Sequence, residues 1–116
     1  LMDRLKIGKD AETSAERWLL RAGLRLVTRN YRCRGGEIDL IMRDGRELVF
    51  VEVRLRRDPR FGGALASVDH HKQRRLALAA AHYLQHHPWD GPCRFDVIGL
   101  SEPTGGPQWV KYAFEL

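Results

Sequence analysis

The chain has 116 residues, 43% of them hydrophobic and 30% charged, which is enough for one domain with a core of its own. It shows no apolar run near membrane length, no signal-peptide pattern and no repeat or low-complexity segment. Twenty Lys and Arg against 15 Asp and Glu give a net charge of +5, a balance that favours an acidic partner such as nucleic acid.

Leu1-Met2 reads either as an addition before a native start or as an internal cut. Residues 9–23 then read as a helix. Ala11, Ala15, Trp18, Leu19 and Ala22 form one stripe at helical spacing, and Gly23 is a natural stop. Glu12 falls at the border of that stripe, and Glu16 lies further round, toward solvent. Taken alone, a Glu in a first turn complements the helix dipole. Residues 24–33, with Leu24, Leu26, Val27 and Tyr31, read as a first strand.

Two alternating runs follow, Glu37 to Met42 and Glu47 to Arg54, on either side of Asp44-Gly45. Asp-Gly between such runs is a strong hairpin signal. Period-two alternation sets Glu37, Asp39 and Ile41 on one face of the first strand. Leu48, Phe50, Glu52 and Arg54 share a face of the second. With Asp44-Gly45 as the loop, Arg43 faces Arg46, Asp39 faces Phe50 and Glu37 faces Glu52. Asp39 and Glu52 are then diagonal neighbours, about 7–8 Å apart. Two carboxylates that close repel unless a cation sits between them, and a hard divalent ion takes such ligands together with phosphate. Arg54 adds a positive charge on the same face. A charged strand face is also what the solvated side of a sheet shows. Val49-Phe50-Val51-Glu52-Val53, however, is almost wholly apolar and reads as a central strand buried on both faces, where a carboxylate needs a partner or a function.

Residues 55–63 form a loop with Pro59, Gly62, Gly63 and the arginines Arg56, Arg57 and Arg60, suited to phosphate contacts beside a metal site. A second helix is predicted over 68–87 with Ser67 as its cap. Leu76, Ala79, Ala80, Tyr83 and Leu84 make its buried stripe. Lys72 lies on that stripe one turn earlier, where it either snorkels to solvent or points at the carboxylates. His70, His71, Arg74 and Arg75 make the start of this helix basic. His82 and His86 are spaced as in some zinc helices, without the Glu or third ligand such sites need. Residues 93–100 read as a fourth strand in which Asp96 suits an arginine partner better than a metal. Residues 101–107 form a turn, and 108–114 a last edge strand. Cys33 and Cys93 lack paired spacing and are read as reduced thiols in a cytoplasmic protein.

Gly36-Glu37-Ile38-Asp39-Leu40-Ile41 followed by Val49-Phe50-Val51-Glu52-Val53-Arg54-Leu55-Arg56 resembles the YraN family of bacterial proteins. Gly8, Glu12, Ala15, Asn30, Phe61-Gly62, Lys72 and Arg94-Phe95-Asp96-Val97 add to the resemblance, which covers nearly the whole chain. That family is similar in fold to restriction endonucleases and archaeal Holliday junction resolvases. The resemblance implies that Asp39 and Glu52 are the two acidic metal ligands of a nuclease motif, with Glu12 the helix glutamate that completes the site. Lys72 matches a basic or amide position on the following helix. Arg54 stands where the wider superfamily usually has lysine. It keeps the charge and can clamp phosphate, but it does not deprotonate and so cannot act as a base.

The expectation is therefore a single domain over 1–116 of α/β (α+β) class: a restriction-endonuclease-like mixed sheet of about five strands flanked by helices. Its expected activity is metal-dependent endonucleolytic hydrolysis of phosphodiesters in DNA or structured nucleic acid. Mg²⁺ or Mn²⁺ would sit on Glu12, Asp39 and Glu52, with Arg54 and Lys72 stabilising charge and Arg56, Arg57, Arg60, Arg74 and Arg75 on the backbone. No membrane and no small-molecule cofactor is expected, and the protein is a monomer or homodimer. The alternatives are a non-catalytic nucleic-acid-binding module on a nuclease fold and an adaptor whose basic loop serves an acidic protein.

Overall fold

The computed structural model describes residues 4–56, 63–101 and 107–115. The elements run α1 (Arg4–Arg21), β1 (Arg25–Cys33), β2 (Gly36–Asp44), β3 (Glu47–Arg56), α2 (Gly63–Ala66), α3 (His70–His86), β4 (Cys93–Ser101) and β5 (Gln108–Phe114). The five strands form one sheet in the order β1-β2-β3-β4-β5. β3 and β4 are parallel, joined across α3, and the other neighbours are antiparallel. This is the mixed α+β sheet expected, with the apolar Val49–Val53 run in its central strand.

Each face of the sheet has its own core. Leu40, Met42, Val49, Val51 and Ile98 pack with Ala15, Leu19 and Leu24 on the α1 side. Ile41, Leu48, Phe50 and Val97 pack with Leu76, Ala79, Ala80 and Tyr83 on the α3 side. The alternation read from sequence is thus the alternation between two helix-covered faces.

Helix boundaries differ from expectation. α1 starts at Arg4 rather than residue 9, so Glu12 lies more than two turns in and the first-turn dipole argument does not apply to it. α1 ends as Gly23 allows: with φ at 102°, Gly23 donates to Leu20 O and Leu24 donates to Leu19 O, the paired bonds of a Schellman stop. Ala22, placed on the buried stripe, is exposed. α3 is capped by Asp69, whose carboxylate accepts from Lys72 N at 2.8 Å, and not by Ser67. Glu16 is not directed to open solvent; it is ion-paired with Arg29.

The hairpin register also differs. Asp44 pairs with Glu47 and Ile41 with Phe50, so the loop is Gly45-Arg46 and not Asp44-Gly45. Gly45 takes φ 59° and Arg46 has no positive φ, the glycine-first arrangement of a II′ turn. The shift moves each strand by one residue and keeps the predicted faces of β3 and of β2 from Leu40 onward, but Ile38, expected on the face of Leu40 and Met42, packs in the opposite core. Phe50 is thus paired with Ile41 and not with Asp39, and the ladder ends at the Leu40–Val51 pair.

Candidate active site

Asp39 sits at a break in the sheet. Ile38 belongs to the α3-side core although Leu40, two residues on, belongs to the α1-side core. The face of β2 therefore flips at Asp39. β1 flips at the same level: Arg29 reaches Glu16 of α1, while Tyr31 packs on the α3 side. Between them Asn30 adopts φ 51°, a left-handed conformation that Asn tolerates better than most residues. The break frees a backbone donor that the ladder would otherwise use, and Val53 N–H donates to Asp39 Oδ2 at 2.8 Å.

Three elements converge on this break. Glu12 of α1 lies close enough to Asp39 and the Asn30 side chain for both to act on its carboxyl. Glu52 of β3, only 3% exposed, lies 3.4 Å from Lys72 Nζ of α3. It also lies 3.8 Å from an Arg54 nitrogen. Arg54 is held in place by Ser67, its Nε donating to Oγ at 2.9 Å. Lys72 thus points at the carboxylates rather than out to solvent. A lysine in a helix first turn opposes the dipole, and Glu52 gives it a reason to be there.

Burial and mutual repulsion set the protonation of the cluster. Burial, and next the neighbouring Asp39 charge, push the Glu52 carboxyl up to about 8 despite Lys72 and Arg54. The same two causes raise Glu12 to about 7, with Asn30 opposing. Asp39 is raised chiefly by burial, against the pull of the Val53 amide and Lys72. Three carboxylates face two cations, and the surplus is relieved by holding protons.

Among the described residues no three carboxylate, imidazole or thiolate groups converge as a ready ligand set. Glu12 turns to Asp39 while Glu52 turns to Lys72. The donors are nonetheless all carboxylate oxygens, the set a hard divalent cation takes, and the protons they hold are what such an ion displaces.

Of the residues expected on the nucleic-acid backbone, Arg74 and Arg75 are exposed on α3. Arg57 and Arg60 lie outside the described residues, as does the side chain of Arg56. Asn30 and Ser67 were not singled out as site residues from their own chemistry. An Asn between alternating strand residues is a signal for a left-handed position. Ser67, read as a helix cap, instead orients Arg54. His82 shares a 2.5 Å hydrogen bond with Tyr31 and stacks on His86.

A mixed sheet with a carboxylate cluster at a strand break, flanked by cations from the following strand and helix, defines an α+β protein with a charged, half-closed site. Residues 11–100 match the model of the uncharacterised protein family UPF0102, a span that includes Glu12, Asp39, Glu52, Arg54 and Lys72. A UPF0102 protein of Alcanivorax borkumensis is 52% identical over 98% of this chain and 95% of its own length. One from Methylococcus capsulatus is 53% identical over 93% of this chain and 89% of its own, and one from Aeromonas hydrophila 54% over 92% and 83%. The chain belongs to the UPF0102, or YraN, family. No helix among the described residues is long and apolar enough to cross a membrane.

Proposed function

We propose that this protein is a cytoplasmic, metal-dependent endonuclease-like enzyme that hydrolyses phosphodiesters in DNA or structured nucleic acid. The observation that carries this reading is the surplus of carboxylate at buried Glu52 and half-buried Glu12 and Asp39 against only Lys72 and Arg54. A site that must take up protons to relieve its own repulsion is one where a divalent cation does the same. Mg²⁺ or Mn²⁺ would be held by Asp39 and Glu52 with Glu12 assisting. Bound there, the ion supplies a polarised phosphoryl group and an activated water.

The chain's own residues supply the rest. The Val53 amide fixes Asp39, so one ligand is oriented before any ion arrives. Ser67 fixes the Arg54 guanidinium, which offsets negative charge growing on a phosphate and takes no proton from water. Lys72 supplies a second cation. The basic start of α3, with His70, His71, Arg74 and Arg75 beside a helix N-terminus, favours backbone phosphates.

A second reading, a nucleic-acid-binding module without cleavage, is favoured by two observations. Arg54 stands where a residue able to deprotonate would serve as a base, and the three carboxylates do not already converge. The separating experiment is a cleavage screen on branched, flapped and single-stranded substrates with and without Mg²⁺ or Mn²⁺. Glu52→Gln keeps the volume and removes one charge, so binding should hold or rise while cleavage falls by roughly 10²-fold or more. Binding by the wild type with no cleavage in either metal would establish the module instead.

A further inference from the structure

The hairpin end of the sheet carries a second concentration of charge, opposite in sign to the carboxylate site. It lies beyond the far end of α3, about 20 Å from Lys72 by the rise of that helix. Arg25 and Arg43 stand directly opposite each other on β1 and β2, both exposed, and exposed Arg46 follows in the turn. Like charges paired across strands are destabilising. The acids beside them give no relief. Asp44 and Glu47 each accept from the buried Arg94 at 2.9 Å, and Glu47 accepts from Tyr112 as well. Among the described residues no carboxylate lies within ion-pairing distance of Arg25, Arg43 or Arg46.

Arg43 is nevertheless ordered. Its guanidinium lies 4.7 Å from the centre of the Trp89 ring, and its one hydrogen bond is a long contact of 3.4 Å to Gly45 O. Stacking on an aromatic face fixes the plane of a guanidinium without using its edge donors. A hollow of about 240 Å³ opens on one side, bounded by Gly23, Arg25, Arg43 and Gly45. Another of about 370 Å³ opens on the other, between Arg43, Arg46 and Trp89, with Asp90 the one carboxylate on its rim. At Gly23 and Gly45 nothing stands within 4 Å of where a Cβ would be, so the first hollow is open. An oriented arginine with free edge donors, beside an unneutralised second arginine, matches the planar two-point recognition of a phosphate.

We propose that Arg25, Arg43 and Arg46, with Trp89 as the platform for Arg43, form a phosphate-contact site for a nucleic-acid backbone, separate from the carboxylate cluster. It rests on the reading above only for the identity of the polyanion.

The test uses the full chain, without divalent metal, and a duplex DNA probe of about 20 base pairs, with affinity followed by anisotropy over about 50–300 mM salt. The Arg25→Ala/Arg43→Ala double variant should lower the salt slope by about 1.8 and the affinity at 0.1 M salt by some tens of fold. Trp89→Leu leaves every charge in place, so it should weaken binding severalfold with the slope unchanged. Thermal melting controls for folding: losing a like-charge pair should leave Tm unchanged or higher. An unchanged slope in the double variant overturns the site. So does a loss of binding to phosphatidylserine vesicles with none on DNA, which would make the patch a membrane contact. The two readings fail separately. A lowered slope with no cleavage in Mg²⁺ or Mn²⁺ leaves this site standing and removes hydrolysis, whereas cleavage with an unchanged slope does the reverse.

Discussion

Glu52 is a carboxylate that the fold holds against its own preference. It is buried in a strand with Asp39 as its neighbour, and it is pushed up to about 8; Glu12 follows at about 7. A folded-state value above the ordinary carboxylate range means the folded protein binds more protons than the unfolded chain between about pH 4.5 and 8. The metal-free protein should therefore be most stable below about pH 4.5 with respect to these groups, and lose that contribution as pH rises through 7 and 8. Denaturant melts at three pH values across that window measure the slope. Glu52→Gln should flatten it and raise stability at pH 8 by about 1–2 kcal/mol, since the amide needs no proton. An equally steep fall in the variant would mean that Glu52 is not its source. The same protons compete with a divalent ion, so Mn²⁺ affinity by calorimetry should rise with pH across 6–8 and vanish in Asp39→Ala.

At the scale of elements, the site depends on how closely α3 approaches β2, and Gly36 sets that distance. A Cβ at Gly36 would lie 2.3 Å from Arg75 O and 3.2 Å from the Ala79 Cβ. The backbone oxygen has nowhere to go unless the helix moves. Gly36→Ala should cost about 2–4 kcal/mol in stability and draw Lys72 away from Glu52, because both contacts are on the same helix; equilibrium unfolding gives the cost. A loss below about 0.5 kcal/mol would mean that α3 is free to shift. Much of this element-level structure was legible in the sequence. Alternation gave the faces of β3, and of β2 from Leu40 onward, because period two is a local property, and Gly23 announced the end of α1. The hairpin register was not legible in the same way. Asp44-Gly45 and Gly45-Arg46 are both two-residue loops with a glycine, and they put the same residues on the same faces. Only the pairing partner changes: Phe50 pairs with Ile41 and not with Asp39. The flip at Asn30 and Asp39 was hidden for a different reason: it breaks the periodicity on which a strand reading rests. Asp39 and Glu52 are neighbours whichever register is read, because Asp39 is bonded to the amide of Val53, next in sequence to Glu52. Lys72 is legible because it lies on the apolar stripe of its own helix. Ser67 and Asn30 act across elements, and no local pattern points to their partners.

At the scale of the whole molecule, two buried acids lie on neighbouring central strands and should answer the same mutation with opposite signs. Asp96 of β4 is fully buried and fully matched. It accepts from Arg94 Nε at 3.0 Å, from Trp109 Nε1 at 2.9 Å and from Tyr112 N at 3.1 Å. Through Arg94 the network extends to Asp44 and Glu47 on the β2–β3 hairpin, so a single carboxylate ties β5 and the hairpin to the centre of the sheet. Asp96→Asn would keep the volume but turn an amide donor toward a ring of donors and leave Arg94 short of its fully buried counter-charge. Breaking a buried, satisfied pair in this way should cost about 3–5 kcal/mol, a fall in Tm on the order of 10–20 °C. Glu52→Gln makes the equivalent change, carboxylate to amide, in a site with more negative than positive charge, and should leave the metal-free protein as stable or more so. The contrast separates an acid that the fold needs from an acid that the fold merely tolerates. If thermal melts show both substitutions destabilising by similar amounts, Glu52 is a structural partner of Lys72 like Asp96 of Arg94, and the case for a cation at the carboxylate cluster is lost with it.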